Sequence, residues 1–143
     1  MHFTIKKGTI EEAAALSRQI PEFENPYTAQ EYHQRLNNVP HLILIAYDAN
    51  KPVGFKVGYA REDYFYSWMG AVLLDYRRHK IAKQLADEQE MWARQQGFKK
   101  IRFKTWNARK EMLIFGISNG FNILSVEPKE QIEAYRIWLE KTL

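Results

Sequence analysis

The sequence predicts an α/β (α+β) domain built on one mixed, mostly antiparallel sheet, and three observations carry that prediction. Successive runs between Leu42 and Leu74 read as three strands joined by short turns, an antiparallel meander. The apolar period then becomes helical from Arg78 to Gln96 and returns to strict alternation over Lys100 to Trp106. A strand–helix–strand order needs a crossover, so the strand at Lys100 is expected to run parallel to the one ending at Leu74. The chain has 143 residues and no repeat, low-complexity tract or linker, so residues 1–143 read as a single domain.

The elements follow in order. His2 to Lys7 alternates as a first strand. Thr9 with Glu12 has capping-box spacing and opens a helix carrying Ile10, Ala13, Ala14, Leu16 and Ile20, which Pro21 ends. A loop containing Pro21 and Pro26 leads to a short helix capped by Thr28, with Tyr32 and Leu36 on its apolar face. Leu42 to Tyr47 is nearly all apolar, as for a strand buried on both faces. Asp48 to Pro52 is a turn, Val53 to Arg61 the returning strand, Glu62-Asp63 the next turn, and Tyr64 to Leu74 the third strand. The helix over Arg78 to Gln96 carries Ile81, Ala82, Leu85, Ala86, Trp92 and Ala93 and closes at Gly97. In the strand Lys100 to Trp106, Ile101, Phe103 and Thr105 face one way. A helix from Ala108 to Asn119 ends at Gly120, and strands follow near Phe121–Val126 and Tyr135–Leu139.

Composition removes whole classes of function. With no cysteine, disulfides, thiolate nucleophiles and cysteine-based zinc sites are excluded, and no metal site is expected. The longest purely apolar run, Leu42 to Ala46, is far too short to span a bilayer, so no membrane partner is expected. Met1 to Ile20 has Glu11 and Glu12 and no continuous apolar stretch, which does not read as a signal peptide; a cytoplasmic location is the expectation. Charge is unevenly placed. Residues 1–50 hold four basic and six acidic side chains, whereas residues 77–110 hold eleven basic and three acidic ones, a local net of +8. That segment invites an anion, whether nucleic acid, a phosphorylated cofactor or solvent counterions.

Within it, the segment Arg77-Arg78-His79-Lys80-Ile81-Ala82-Lys83 joins a strand to a helix, with no acidic residue between Asp75 and Asp87. The first N–H groups of a helix lack intrahelical partners and lie at the positive end of its dipole. Cations there oppose the dipole, a placement that a bound phosphate or diphosphate would justify.

The order of elements over essentially the whole chain resembles the GCN5-related N-acetyltransferase (GNAT) superfamily. Its acetyl-CoA signature, Q/R-x-x-G-x-G/A at the start of the central helix, is met here by Arg77 in the first position and Ala82 in the last, with Lys80 replacing the middle glycine. The resemblance implies a splayed strand pair in the sheet, flanked by about four helices. It makes acetyl-CoA the co-substrate, with Arg77, Arg78, His79, Lys80, Ile81, Ala82 and Lys83 at the diphosphate. Backbone near Val72 would polarise the thioester carbonyl, Asn107 would hydrogen-bond the pantetheine arm, and Gly70 is where a bulge would splay the strands.

Direct transfer to a primary amine, with both substrates bound, is the reaction the resemblance implies. The helix Met112 to Ile117 has no tyrosine where many members place the thiolate's proton donor, and no carboxylate lies between Tyr64 and Leu74. Glu22 and Glu24, in the loop between the first two helices, are the candidate bases; of these Glu24 and, as proton donor, Tyr66 are the choices made here. About half of the aromatic cluster Tyr59, Tyr64, Phe65, Tyr66 and Trp68 should be core and half should face the acceptor. Two other readings compete: a non-catalytic acyl-CoA-binding module, and a basic nucleic-acid-binding domain, disfavoured because no stacking motif is recognisable and the aromatics concentrate outside the basic segment. A homodimer is a family habit only.

Overall fold

In the computed structural model, which describes residues 2–143, the strands β1 (Phe3–Lys7), β2 (His41–Asp48), β3 (Lys51–Ala60), β4 (Phe65–Val72), β5 (Lys100–Trp106), β6 (Asn122–Glu127) and β7 (Arg136–Thr142) form one sheet. Its order is β1-β2-β3-β4-β5-β7-β6, antiparallel except for β4 and β5, which run parallel. Helices α1 (Ile10–Ser17), α2 (Ala29–Leu36), α3 (Ile81–Gln95) and α4 (Lys110–Ser118) complete the domain. The meander and the crossover are as the alternation and the change of period predict.

Two layers of helix sandwich the sheet. On one face, α1 packs on β2, β3 and α2. Ser17 and Tyr32 are fully buried there and join α1 to α2 by a 2.7 Å hydrogen bond between their hydroxyls. On the other face, α3 covers β1 to β4, and α4 lies over the second half of the sheet, where Gly116 abuts Phe103 and Leu139. Gly58 is what lets α3 lie close. A Cβ built on it would sit 2.8 Å from the Gln89 amide nitrogen and inside contact with the Phe65 ring.

The parallel pair is short. β4 and β5 are joined only at Phe65↔Ile101 and Tyr66↔Arg102, and beyond that vertex they diverge, as the expected splayed pair does. The device that bends β4 is not at Gly70. Register with β3 shifts between Met69, opposite Val57, and Ser67, opposite Gly58, so the unpaired extra residue is Trp68. Gly70 pairs regularly with Lys56. An aromatic serves here because its ring is held against Tyr27, Tyr32 and Tyr59, with centroids 5.0, 5.1 and 5.8 Å away.

Other boundaries differ for local reasons. β4 stops at Val72, and Leu74–Tyr76 forms a 3-10 turn. The following helix starts at Ile81 rather than Arg78, because Arg78 and Lys80 have positive φ and lie outside helical geometry. The next helix begins at Lys110 rather than Ala108, after Asn107 and Ala108 bond to the backbone of Tyr135 and Glu133. β6 starts one residue late, at Asn122, and the last strand extends from Arg136 to Thr142.

Replacing Gly58 by alanine is expected to destabilise the fold by about 1–3 kcal/mol through overpacking between β3 and α3. Chemical denaturation of the variant against wild type measures it; an unchanged midpoint would show that α3 does not depend on this close approach.

Candidate active site

The residues brought to the wide end of the splay come from the end of β4, the basic loop and the first turn of α3. Leu73 donates its N–H to Val53 across the β3 side. Strand alternation therefore turns the N–H and C=O groups of Gly70 and Val72 toward the gap, away from any partner strand. The Val72 carbonyl there accepts a 3.0 Å hydrogen bond from Arg77 Nε.

The start of α3 is chemically unlike the starts of α1 and α2. Those two helices are closed by capping boxes, Thr9 with Glu12 and Thr28 with Glu31. α3 has no side-chain cap and no acidic residue in its first turn, and its first intrahelical hydrogen bond runs from Gln84 N–H to the Lys80 carbonyl. Among the described residues, the N–H groups of Arg78, His79, Lys80, Ile81, Ala82 and Lys83 find no acceptor in the chain. α4 also lacks a side-chain cap, but it carries Glu111 in its first turn.

Lys80, where the signature has glycine, lies in the left-handed region that favours glycine, with φ of 63°. A left-handed lysine costs about 1 kcal/mol. With Arg78 at φ 67°, it gives the alternation of handedness from which anion-cradling nests of N–H groups are built. The side chains of Arg78, His79, Lys80, Ala82 and Lys83 are not buried; Lys83 pairs with Asp87 at 2.9 Å, and the His79 ring lies 6.0 Å from Phe3. Ile81 is instead core, against the face of Gly54.

Two residues of the expected site are engaged elsewhere. Arg77 holds Glu22 with both terminal guanidinium nitrogens, at 2.8 and 2.9 Å, besides the bond from its Nε to Val72. It thus straps the α1–α2 loop to the end of β4. Asn107 donates to the Ile132 carbonyl at 3.2 Å and accepts from Lys110 at 3.1 Å, tying the β6–β7 connection to the end of β5.

The Arg77 hydrogen bonds, with added attraction from Arg109, lower the Glu22 carboxyl from the usual 4.5 to about 2. A carboxylate that holds a proton so weakly is a poor base, which removes Glu22 as a candidate. Glu24 is exposed and has no hydrogen-bond partner among the described residues.

Tyr66 sits at the vertex, where the strands part. It is 2% exposed, and its ring lies 5.4 Å from Tyr59 and 5.7 Å from Trp138. Desolvation raises its hydroxyl to about 12, so at neutral pH the group keeps its proton. The aromatic cluster divides between the two faces. Phe65 points to α3, beside Trp92 and Phe98, while Tyr59, Tyr66 and Trp68 line the α1–α2 face. Trp138 belongs to the same row but gives no sign of it in the sequence, because only the β5–β7 register places it opposite Lys104.

Two surface depressions lie apart from this arrangement. One, of about 180 Å³, is between α3 and β1–β2, and the other, of about 360 Å³, is beside α1 and Pro52. Among the described residues no group of three His, Cys, Asp or Glu could hold a metal, and no helix is long and apolar enough to cross a membrane.

Comparison with known proteins points the same way. The family described as acetyltransferase (GNAT) matches residues 11–113. Comparison with curated proteins finds no match. Among solved structures, the ribosomal-protein-S18-alanine N-acetyltransferase of Escherichia coli superposes with a TM-score of 0.84 at 15% identity, over 99% of this chain and 94% of that one. The paiA N-acetyltransferase of Thermoplasma acidophilum, solved in complex with coenzyme A, gives 0.79 at 19% identity, covering 100% of both chains. An acetyltransferase of Elizabethkingia anophelis with acetyl-CoA bound gives 0.76 at 19% identity, over 99% of this chain and 98% of that one. At these identities the likeness establishes the fold.

The Glu22–Arg77 tie has a defined pH window. A carboxyl lowered on folding contributes stability that is fully present above about 4.5 and lost as pH falls toward about 2. In Glu22→Gln that acid dependence is expected to flatten, with stability at neutral pH lower by no more than about 1 kcal/mol because the pair is part-exposed, and with the two proteins converging as pH falls toward about 2. Acid unfolding followed by circular dichroism tests this; identical acid profiles would mean that the pair is not formed in solution.

Proposed function

This chain belongs to the acetyltransferase (GNAT) family, and on that premise we propose that it moves an acetyl group from acetyl-CoA to a primary amine by direct transfer in a ternary complex. The observation that carries the proposal is the run of unpartnered N–H groups from Arg78 to Lys83, at a cationic and uncapped helix start. A diphosphate is the ligand that completes such a terminus, because it supplies both the acceptors and the charge that the dipole and the side chains require. Arg78 and Lys80 supply the mobile cations, Lys83 adds a third that is shared with Asp87, and the backbone of His79, Ile81 and Ala82 supplies donors.

The co-substrate brings an activated thioester, and the chain's own residues orient and polarise. The backbone of Gly70 and the N–H of Val72 offer the pantetheine arm a strand edge, and an N–H there polarises the thioester carbonyl. Asn107 has one amide hydrogen left for the arm beyond its bond to Ile132. The uncharged amine nitrogen attacks the carbonyl carbon, the C–S bond breaks, and the departing sulfur takes a proton while the nitrogen releases one to solvent. Tyr66, still protonated at the vertex, donates a hydrogen bond to the departing sulfur. Glu24, in the exposed loop beside the α1–α2 face, is the one carboxylate candidate left for deprotonating the ammonium, and water is the other acceptor. A cytoplasmic enzyme, with homodimer formation open to measurement, completes the proposal.

A substitution of opposite sign in its two effects tests the diphosphate site. Lys80→Glu places a carboxylate where the α3 dipole favours one, so thermal stability is expected to hold or rise by about 0.3–1 kcal/mol. The same carboxylate repels the diphosphate, and acetyl-CoA affinity by isothermal titration calorimetry is expected to fall about tenfold. Unchanged affinity would overturn the site.

Tyr66→Phe is expected to lower kcat about a hundredfold with the KM for acetyl-CoA unchanged. Wild-type turnover in that variant would remove Tyr66 from the chemistry. The absent tyrosine in α4 and the low Glu22 carboxyl favour one second reading, a CoA-binding module without turnover. Acetyl-CoA binding without transfer to any amine of a broad panel would select it.

A further inference from the structure

The α1–α2 face of the splay carries an unexpected electrostatic pattern. From α2 toward β7 runs an aromatic row, Trp68, Tyr59, Tyr66 and Trp138, with successive centroids 5.8, 5.4 and 5.7 Å apart. Cations lie along it. The Arg35 guanidinium is 4.8 Å from the Trp68 ring and donates to the Tyr59 hydroxyl at 3.2 Å, and that of Arg61 is 4.7 Å from Tyr66. The Lys104 ammonium is 5.4 Å from Trp138, and Arg136 shares that face of β7. Among the described residues, none of these four has a carboxylate within 4.0 Å.

The carboxylates nearby are already committed. Glu127 accepts from the Trp138 indole at 3.1 Å, and Glu140 is paired with Arg102 at 2.7 Å. The cations repel one another across the row, for Lys104 is pushed down by desolvation and then by Arg136, Arg61 and Arg35, with only Glu127 opposing. Rings that already carry a cation are poorly placed to cage a second one, so this face disfavours a polyamine. It does match a negative group brought beside the reacting amine.

Resting on the acetyl-transfer reading, we propose that the acceptor is an anionic amine, its amino group close to a carboxylate, which Arg35, Arg61, Lys104 and Arg136 recognise. Tyr66 stands at once in this row and at the vertex where β4 and β5 part. An acceptor whose carboxylate lies on the cations therefore has its amine at the gap. An α-amino acid, or the first residues of an acidic peptide, carries an amine and a carboxylate in this relation.

The test compares L-glutamate, a short peptide with two acidic residues at its start, and putrescine, in acetyl transfer and in binding. Binding is read from the indole N–H signals of Trp68 and Trp138, with Trp92 on the opposite face as control, with and without saturating CoA. The carboxylate-bearing amines are expected to shift the first two signals and to be preferred in kcat/KM. The faster of the two identifies a free or a peptide-borne acceptor. In Arg61→Ala with Lys104→Ala their KM should rise about tenfold or more, and Arg61→Lys should restore part of it. Preference for putrescine, unmoved indoles, or displacement of glutamate by a mixed oligonucleotide would overturn the proposal. If acetyl-CoA fails to bind while glutamate still shifts the indoles, the acetyl-transfer reading falls and the anion-binding face stands.

Discussion

Two adjacent parallel strands that pair at only two positions leave a strand edge open in the middle of a sheet. β4 and β5 are in this condition, since they touch at Phe65↔Ile101 and Tyr66↔Arg102 and then part. An open edge inside a domain has unpaired peptide groups that need either water or a ligand. Here the divergence is held from both sides. The Trp68 bulge, fixed by its aromatic neighbours, turns β4, and β5 is held along its whole length by β7. The same divergence exposes the Gly70 and Val72 backbone, sets the start of α3 at the mouth, and puts Tyr66 at the vertex.

Electrostatics differs between the two sides of this gap. At the mouth, backbone N–H groups and mobile cations make a site whose charge is local and whose geometry comes from left-handed turns at Arg78 and Lys80. Lys80 accepts backbone strain that a glycine would avoid, but it adds a charge within the run of free N–H groups. Arg77, the residue closest to the family signature by type, is held by Glu22 and Val72 and acts here as a strap on the α1–α2 loop. On the far face the cations are held over aromatic rings, which fixes their positions without neutralising them.

Hydrophobic periodicity alone determined the elements, the single meander, the crossover and the parallel pair, because each depends on which residues a strand or helix can bury. Thr9 with Glu12 and Thr28 with Glu31 announced two helix starts for an equally local reason, the reach of a side chain over one turn. The basic run at Arg77 to Lys83 stood out in the sequence as a candidate anion site because charge and chain position coincide there. Tertiary structure decided the rest. Gly70 looked like the bulge since it is the residue with the freest backbone, yet Trp68 took that place through contacts with residues from α2 and β3, which no local pattern encodes. Glu22 lost its standing as a base to an arginine 55 positions away. Trp138 and the cations of the α1–α2 face came together only through strand register, and register is set by pairing partners that lie far apart along the chain.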